Sequence, residues 1–234
     1  MVKNSPANVE YIKAEEFQLV PVRSASNLSA VVDLHDSTYE EPLTTKEIVC
    51  LRMVARETCP RMFLIGARVY FRNNEFLRDR VTGDKKRSII VDPVHGEFVA
   101  PTVGYVFASP PMANDEELRQ LEIYDLVVHD WYQRVGVAKW AVAVCEQLAI
   151  VAMRGAFSAG QDEEFNRPFL SRANVNEYRE PAIKLFAGAG YRASGIKKDE
   201  EDGDYIQFEK TLDPSEPPSE PEPLSVVVAC NMDC

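Results

Sequence analysis

Leu126-Val-Val-His-Asp-Trp-Tyr-Gln-Arg-Val-Gly-Val-Ala-Lys-Trp-Ala141 decides how this chain is read. An apolar, β-type run stops at His129 and Asp130. A short turn follows, Gln133-Arg134-Val135-Gly136-Val137-Ala138, and a helical apolar pattern starts at once. A strand that passes through a Gly/Ala turn into a helix N-terminus forms an anion cradle. Small residues let the backbone approach a phosphate, and the unpaired N–H groups of the first helical turn point at it. A plain strand–turn–helix corner has the same outline, so the flanking sequence must decide.

With 234 residues the chain can build one substantial core. Its hydrophobic fraction of 45% is ordinary for a globular protein. No run approaches the ~18 uncharged apolar residues of a membrane helix. The first ten residues lack the apolar stretch of a signal peptide. Five cysteines, at 50, 59, 145, 230 and 234, fit neither a disulfide framework nor a zinc site. The simplest reading is a cytoplasmic, reduced protein without a metal. A net charge of −11 argues against general nucleic-acid binding, which needs a basic footprint, and is compatible with a cationic substrate such as an amine.

Residues 1–14 read as a flexible leader, 15–212 as one domain and 213–234 as a disordered tail. The tail opens with five prolines and four acids in eleven residues, a composition that cannot bury a core. Its apolar end, Leu224 to Cys234, either docks back as a strand or is a loose extension. Between these ends, Phe17–Val22 reads as a strand, and Ser26 or Asn27 caps a helix reaching about Ser37. Thr44-Thr-Lys-Glu47 is a capping box for a second helix, which must stop near Cys59-Pro60. Met62–Phe71 and Val99–Ser109 read as strands around a polar insert, 72–87, with a possible extra strand at Ser88–Asp92. Leu121–Val128 is the next strand. The helix from Val137 to about Met153 carries Val137, Trp140, Ala141, Val144, Leu148 and Val151 on one face. Phe169–Ala173, a helix over Arg179–Ala187, Tyr191–Ser194 and Tyr205–Lys210 complete a mixed α/β sandwich.

This order, with the turn in its middle, resembles the GNAT superfamily of acyl-CoA-dependent N-acyltransferases. The family signature is an apolar fourth strand followed by Arg/Gln-x-x-Gly-x-Gly/Ala at the start of a helix. Gln133-Arg134-Val135-Gly136-Val137-Ala138 fills every fixed position. A second mark, a short helix ending in an aromatic and then Lys/Ala-x-Gly-Phe, has its counterpart in Ala182–Tyr191. An acidic stretch at 158–166 lengthens the distance between the two. The N-terminal half looks like the arylalkylamine N-acetyltransferase group, through Tyr39-Glu-Glu-Pro42 and Pro60-Arg-Met-Phe63-Leu64.

The resemblance implies an α/β fold with a central mixed, mostly antiparallel sheet flanked by helices. It also implies acetyl-CoA as co-substrate and transfer to a small amine acceptor or, alternatively, a peptide. A third alternative is a non-catalytic module that binds acyl-CoA or a partner. The pyrophosphate would lie on the N–H groups of Arg134, Val135, Gly136, Val137, Ala138 and Lys139, next to Gln133. The pantetheine arm would pair with Leu126, Val127 and Val128. Arg134 and Lys139 either add charge near the phosphates or are solvated helix-start residues.

Acetyl transfer to an amine requires three things. An ammonium near pKa ~10.4 must lose a proton, the tetrahedral oxyanion needs a donor, and a thiolate near ~8.5 must leave. Strand alternation puts Glu122, Tyr124 and Leu126 on one face, with Ile123, Asp125 and Val127 on the other. Glu122 is the first candidate for the base; the alternative is an exposed carboxylate at a sheet edge. The arylalkylamine group has two histidines at the positions matching Glu122 and Tyr124. Many relatives have a tyrosine at Phe186 that protonates the departing sulfur, and an asparagine at Arg179. Phenylalanine cannot donate, so either Tyr124 or Tyr191 would substitute, or the thiolate would leave unassisted. His35, His95 and His129 read as structural or solvent-facing, Cys145 as core, and Trp131 and Tyr132 as packing beside the turn.

Overall fold

The computed structural model describes residues 9–39, 41–57, 61–71, 89–91, 99–111, 119–158, 167–198, 204–216, 221 and 223–231. The expected insert at 72–87, His95, the Cys59-Pro60 stop and the acidic stretch at 159–166 lie outside them.

The order of elements begins with β1 (Val9–Pro21), α1 (Ala25–Thr38), α2 (Thr45–Val54) and β2 (Met62–Phe71). The middle of the chain supplies β3 (Ile89–Val91), β4 (Val99–Pro101), β5 (Gly104–Ser109) and β6 (Gln120–Val128). A 3-10 turn (Asp130–Tyr132) then leads into α3 (Val137–Ser158), followed by β7 (Phe169–Asn176) and α4 (Glu180–Gly188). The chain closes with β8 (Arg192–Lys197), β9 (Tyr205–Leu212) and β10 (Val226–Asn231). Eight strands form one sheet in the order β10-β1-β2-β5-β6-β7-β9-β8, antiparallel throughout except for the β6–β7 pair. This is the mixed, mostly antiparallel sheet expected. The strand read as Val99–Ser109 is broken at Thr102-Val103, and its first part pairs with β3 in a separate ribbon.

Helices cover both faces. On one, α1 buries Leu28, Ala30, Val31 and Leu34 against Met62, Leu64, Tyr105 and Val127. Its cap is Ser24, whose side chain accepts from the Asn27 N–H at 3.1 Å, so the expected caps Ser26 and Asn27 sit within the first turn. The Thr44–Glu47 capping box opens α2 as read. On the other face lie α3 and α4. The buried apolar residues of α3, among those described, are Val137, Ala141, Val142, Cys145, Ala149 and Met153, whereas Leu148 and Val151 are 45% and 51% exposed. The expected stripe is therefore rotated. Small Cys145 and Ala149 allow close approach to the sheet, and a 22-residue helix drifts away from any fixed i, i+3/i+4 reading.

Both chain ends enter the structure further than composition suggested. β1 starts at Val9, inside the expected leader, because its backbone pairs with β10 from Val9 and with β2 from Ile12. β10 returns to that edge, and Val226 and Leu224 pack against Ala14, Tyr132 and Val137. The start of the proline-rich stretch is gathered by Arg154, which donates to the Pro214 carbonyl at 2.5 Å and to that of Glu216. Among the described residues no helix is long and apolar enough to cross a membrane.

Candidate active site

The site begins where two parallel strands part. β6 pairs with β7 over only four residues, from Gln120↔Leu170 to Ile123↔Ala173. β6 then continues to Val128 and β7 to Asn176 without pairing. On its other side β6 remains paired with β5 as far as Val128↔Gly104. Glycine is required there, since a Cβ on Gly104 would lie 2.3 Å from the Val127 carbonyl oxygen. The result is a fork, with the Tyr124–Val128 edge of β6 open on the β7 side.

A bulge sits at the fork. Phe107 pairs with Asp125 and Ala108 with Ile123, leaving Tyr124 as the extra residue. Leu121 and Ile123 pack on the α3 side, but beyond the bulge it is Leu126 and Val128 that do so. This corrects the face assignment expected from simple alternation. Leu126 does not share a face with Glu122, and Asp125 is not on the opposite side from it. Val127 packs with Leu28 and Val31 beneath α1, and the Tyr124 ring lies 5.3 Å from Phe107 on the same side. Glu122, Tyr124 and Asp125 thus project together toward the α1 face.

Glu122 is half-buried in a polar network. Gln120 Nε2 donates to its Oε1 at 2.8 Å and the Tyr124 hydroxyl donates to its Oε2. Burial and then the Glu122 carboxylate push Tyr124 up to about 12, so its phenol stays protonated at neutral pH. Arg172, the register partner of Glu122 on β7, donates Nε to Glu209 Oε1 at 2.7 Å and Nη1 to Gln120. Gln207 donates to the same Glu209 oxygen at 2.8 Å. Glu122, Tyr124, Arg172, Asn174, Lys197 and Tyr205 line one open cavity of about 210 Å³ at the fork.

Asp125 is held differently. Tyr105 donates its hydroxyl to Oδ2 at 2.5 Å, and Tyr39, at the C-terminus of α1, donates to Oδ1 at 3.2 Å. Burial, then the Asp125 charge, raises Tyr39 to about 12 and Tyr105 further still. Arg179, just before α4, stacks over the Tyr39 ring at 5.2 Å.

The turn after β6 has two residues in the left-handed region, Arg134 at φ 62° and Gly136 at φ 95°. Gly136 serves its backbone angle rather than space, because a Cβ there would meet only the Leu224 methyl, at 3.6 Å. Trp140 N–H bonds the Gly136 carbonyl, so the α3 ladder starts there. The N–H groups of residues 137–139 stand at the start of α3, ahead of this first ladder bond, where an anion can meet them. Side chains contribute less. Val137 is buried, and Gln133 is tied back to the Val128 carbonyl at 3.1 Å and to Asp130 Oδ1 at 2.8 Å. Arg134 and Lys139 are exposed, and Val135 and Ala138 are half-buried.

Phe186 is only 5% exposed, edge-on to Tyr191 and stacked on Phe208. Tyr191 cannot substitute as acid, because its hydroxyl is buried on Ser171 Oγ at 2.6 Å and burial raises its pKa. His35 lies beside Tyr39, 4.4 Å between ring centres, and Cys145 is core. Among the described residues no His/Cys/Asp/Glu cluster could hold a metal. Sequence reading missed Gln120, Arg172 and Glu209, and also the role of Asp125. Their only local trace is alternating polar positions on β7 and β9.

No protein-family model matches the chain, and no curated protein matches it. Solved structures do. The chain is similar to one in the crystal structure of the NatC complex bound to Gag peptide and CoA: 16% identity, 84% of this chain and 97% of the other, TM-score 0.50. It is similar to a protein from Acinetobacter baylyi ADP1 assigned as an acetyltransferase: 15% identity, 87% and 96% coverage, TM-score 0.50. The fold is that of the GNAT acyltransferases.

Proposed function

We propose that the protein is an acetyl-CoA-dependent N-acetyltransferase that acts on a primary amine by direct attack in a ternary complex. The observation that carries this reading is the fork past Ile123 and Ala173. It has a carboxylate and a phenol on one face and the N-terminus of α3 at its end. Acetyl-CoA would lay its pyrophosphate on the N–H groups of 134–139 and its pantetheine along the open edge of β6.

The chain's own residues then divide the work. Glu122, directly or through a water, takes the proton of the ammonium as its nitrogen attacks the thioester carbonyl. A backbone N–H on the open edge of β6 would donate to the developing oxyanion. The C–S bond breaks as the amide forms. Tyr124 lines the fork beside Glu122, but at about 12 it is a weak acid for a thiol near ~8.5. It serves better as a hydrogen-bond donor than as a full proton source.

The resemblance suggests an arylalkylamine or polyamine acceptor, and a peptide amine would present the same ammonium to Glu122. A second reading, a module that binds acyl-CoA without turnover, draws on the burial of Phe186 and Tyr191 away from the fork. The deciding measurement is CoA release from acetyl-CoA with a panel of amines, wild type against Glu122→Gln. Turnover lost in the variant supports the enzyme and its base. CoA binding without turnover for any amine selects the module.

A further inference from the structure

The lining of the fork cavity carries more charge than amine chemistry alone requires. Glu122 supplies one anion, and Arg172 and Lys197 supply two cations. The Arg172 charge is taken up by Glu209 at 2.7 Å. Lys197, at the end of β8, has no hydrogen bond or ion pair among the described residues, and neither does the side chain of exposed Asn174. The sheet register brings the two to one face. Lys197 pairs with Tyr205, Tyr205 with Asn176, and Asn174 lies two positions back on β7, which is the same side. No described helix packs on this face of β8, so both groups stay open to the cavity.

Such a cavity suits some amines poorly. A plain arylalkylammonium finds its counter-charge in Glu122 but shares the space with an ammonium that has no ion pair among the described residues. A polyamine adds a second cation to that repulsion. A ligand that carries both signs satisfies both walls. A volume of about 210 Å³ lies below the ~300 Å³ at which pockets for drug-sized ligands begin, and suits a small metabolite.

We propose that the acceptor is a small amine that also bears a carboxylate, of amino-acid type, with its ammonium toward Glu122 and its carboxylate toward Lys197 and Asn174. This rests on the acetyltransferase reading and narrows its acceptor. Lys197 supplies a cation as well as a donor, and the neutral amide of Asn174 adds a second donor to the carboxylate. Neither takes part in the bond changes, so both are specificity residues.

The test uses matched pairs with one skeleton, tyrosine against tyramine and ornithine against putrescine, with acetyl-CoA and the full chain. Wild type should show the higher kcat/KM for the carboxylate-bearing member of each pair. In Lys197→Ala the ratio within each pair should fall about tenfold, mainly through KM, and Lys197→Arg should keep it. A wild-type preference for the plain amine, or a ratio unmoved by Lys197→Ala, overturns this proposal and leaves the acetyltransferase reading standing. No turnover with any member overturns this proposal, and no turnover with a peptide amine either overturns the acetyltransferase reading as well.

Discussion

Glu122 and Arg172 face each other in register across the parallel β6–β7 pair, yet the Arg172 guanidinium bonds Glu209 and Gln120. Glu209 holds the arginine sideways, and the carboxylate expected to accept the proton is left to neutral donors, Gln120 and Tyr124. A guanidinium in direct contact would favour the charged carboxylate and weaken it as a base.

Glu209→Gln should therefore release Arg172 toward Glu122. The acid limb of the pH–rate profile should move to lower pH, and the plateau rate should drop about tenfold. A profile that falls in height without moving along the pH axis would reduce Glu209 to a structural role.

Glu122→Gln keeps the size of the side chain and removes its basicity. If Glu122 takes the ammonium proton, kcat should fall by about 10² to 10⁴, with the KM for acetyl-CoA little changed. Steady-state kinetics at saturating amine decides this. A loss under about threefold would mean that water alone removes the proton.

The parts of this site visible in the sequence are local. The turn from Gln133 to Ala138 and the Thr44–Glu47 capping box depend on neighbours a few residues apart, and both occur as read. Alternation along β6 failed at Tyr124 because a bulge is a property of two strands. Only the register against Phe107 and Ala108 reveals the extra residue. Arg172 and Glu209 meet across 37 positions, and Tyr39 and Asp125 across 86, distances over which a single chain carries no pairing signal. The docking of β10 was hidden for another reason, since an acidic, proline-rich connection masks the apolar strand behind it.

Arg134 holds a positive φ that a side chain resists, in the turn proposed to cradle pyrophosphate. Arg134→Gly should raise thermal stability by up to about 1 kcal/mol and weaken CoA binding several-fold through loss of charge. Gly136→Ala, at φ 95°, should lower stability by about 1 kcal/mol and weaken CoA binding through the turn geometry. Calorimetric unfolding and CoA titration separate the two effects. Unchanged CoA affinity in both variants would remove the turn from the binding site.

Tyr39 and Tyr105 share Asp125, and that sharing fixes how the fold should respond to alkali. Burial first, and then the Asp125 charge, raises both phenols above the ~10 of an unfolded chain, Tyr39 to about 12 and Tyr105 higher. The folded state therefore keeps protons that the unfolded state releases. For a group raised in this way the stabilisation is complete below pH ~10 and is lost as pH rises through the folded value. Melting temperature should hold its value up to about pH 10 and then fall through pH 12. In Asp125→Asn the charge is removed while burial remains, so phenolate absorbance should appear at lower pH than in the wild type, though still above ~10. Phenolate onset at the same pH in both proteins would show that Asp125 does not set the ionisation of these tyrosines, and the hydrogen-bonded triad beside the fork would lose its electrostatic basis.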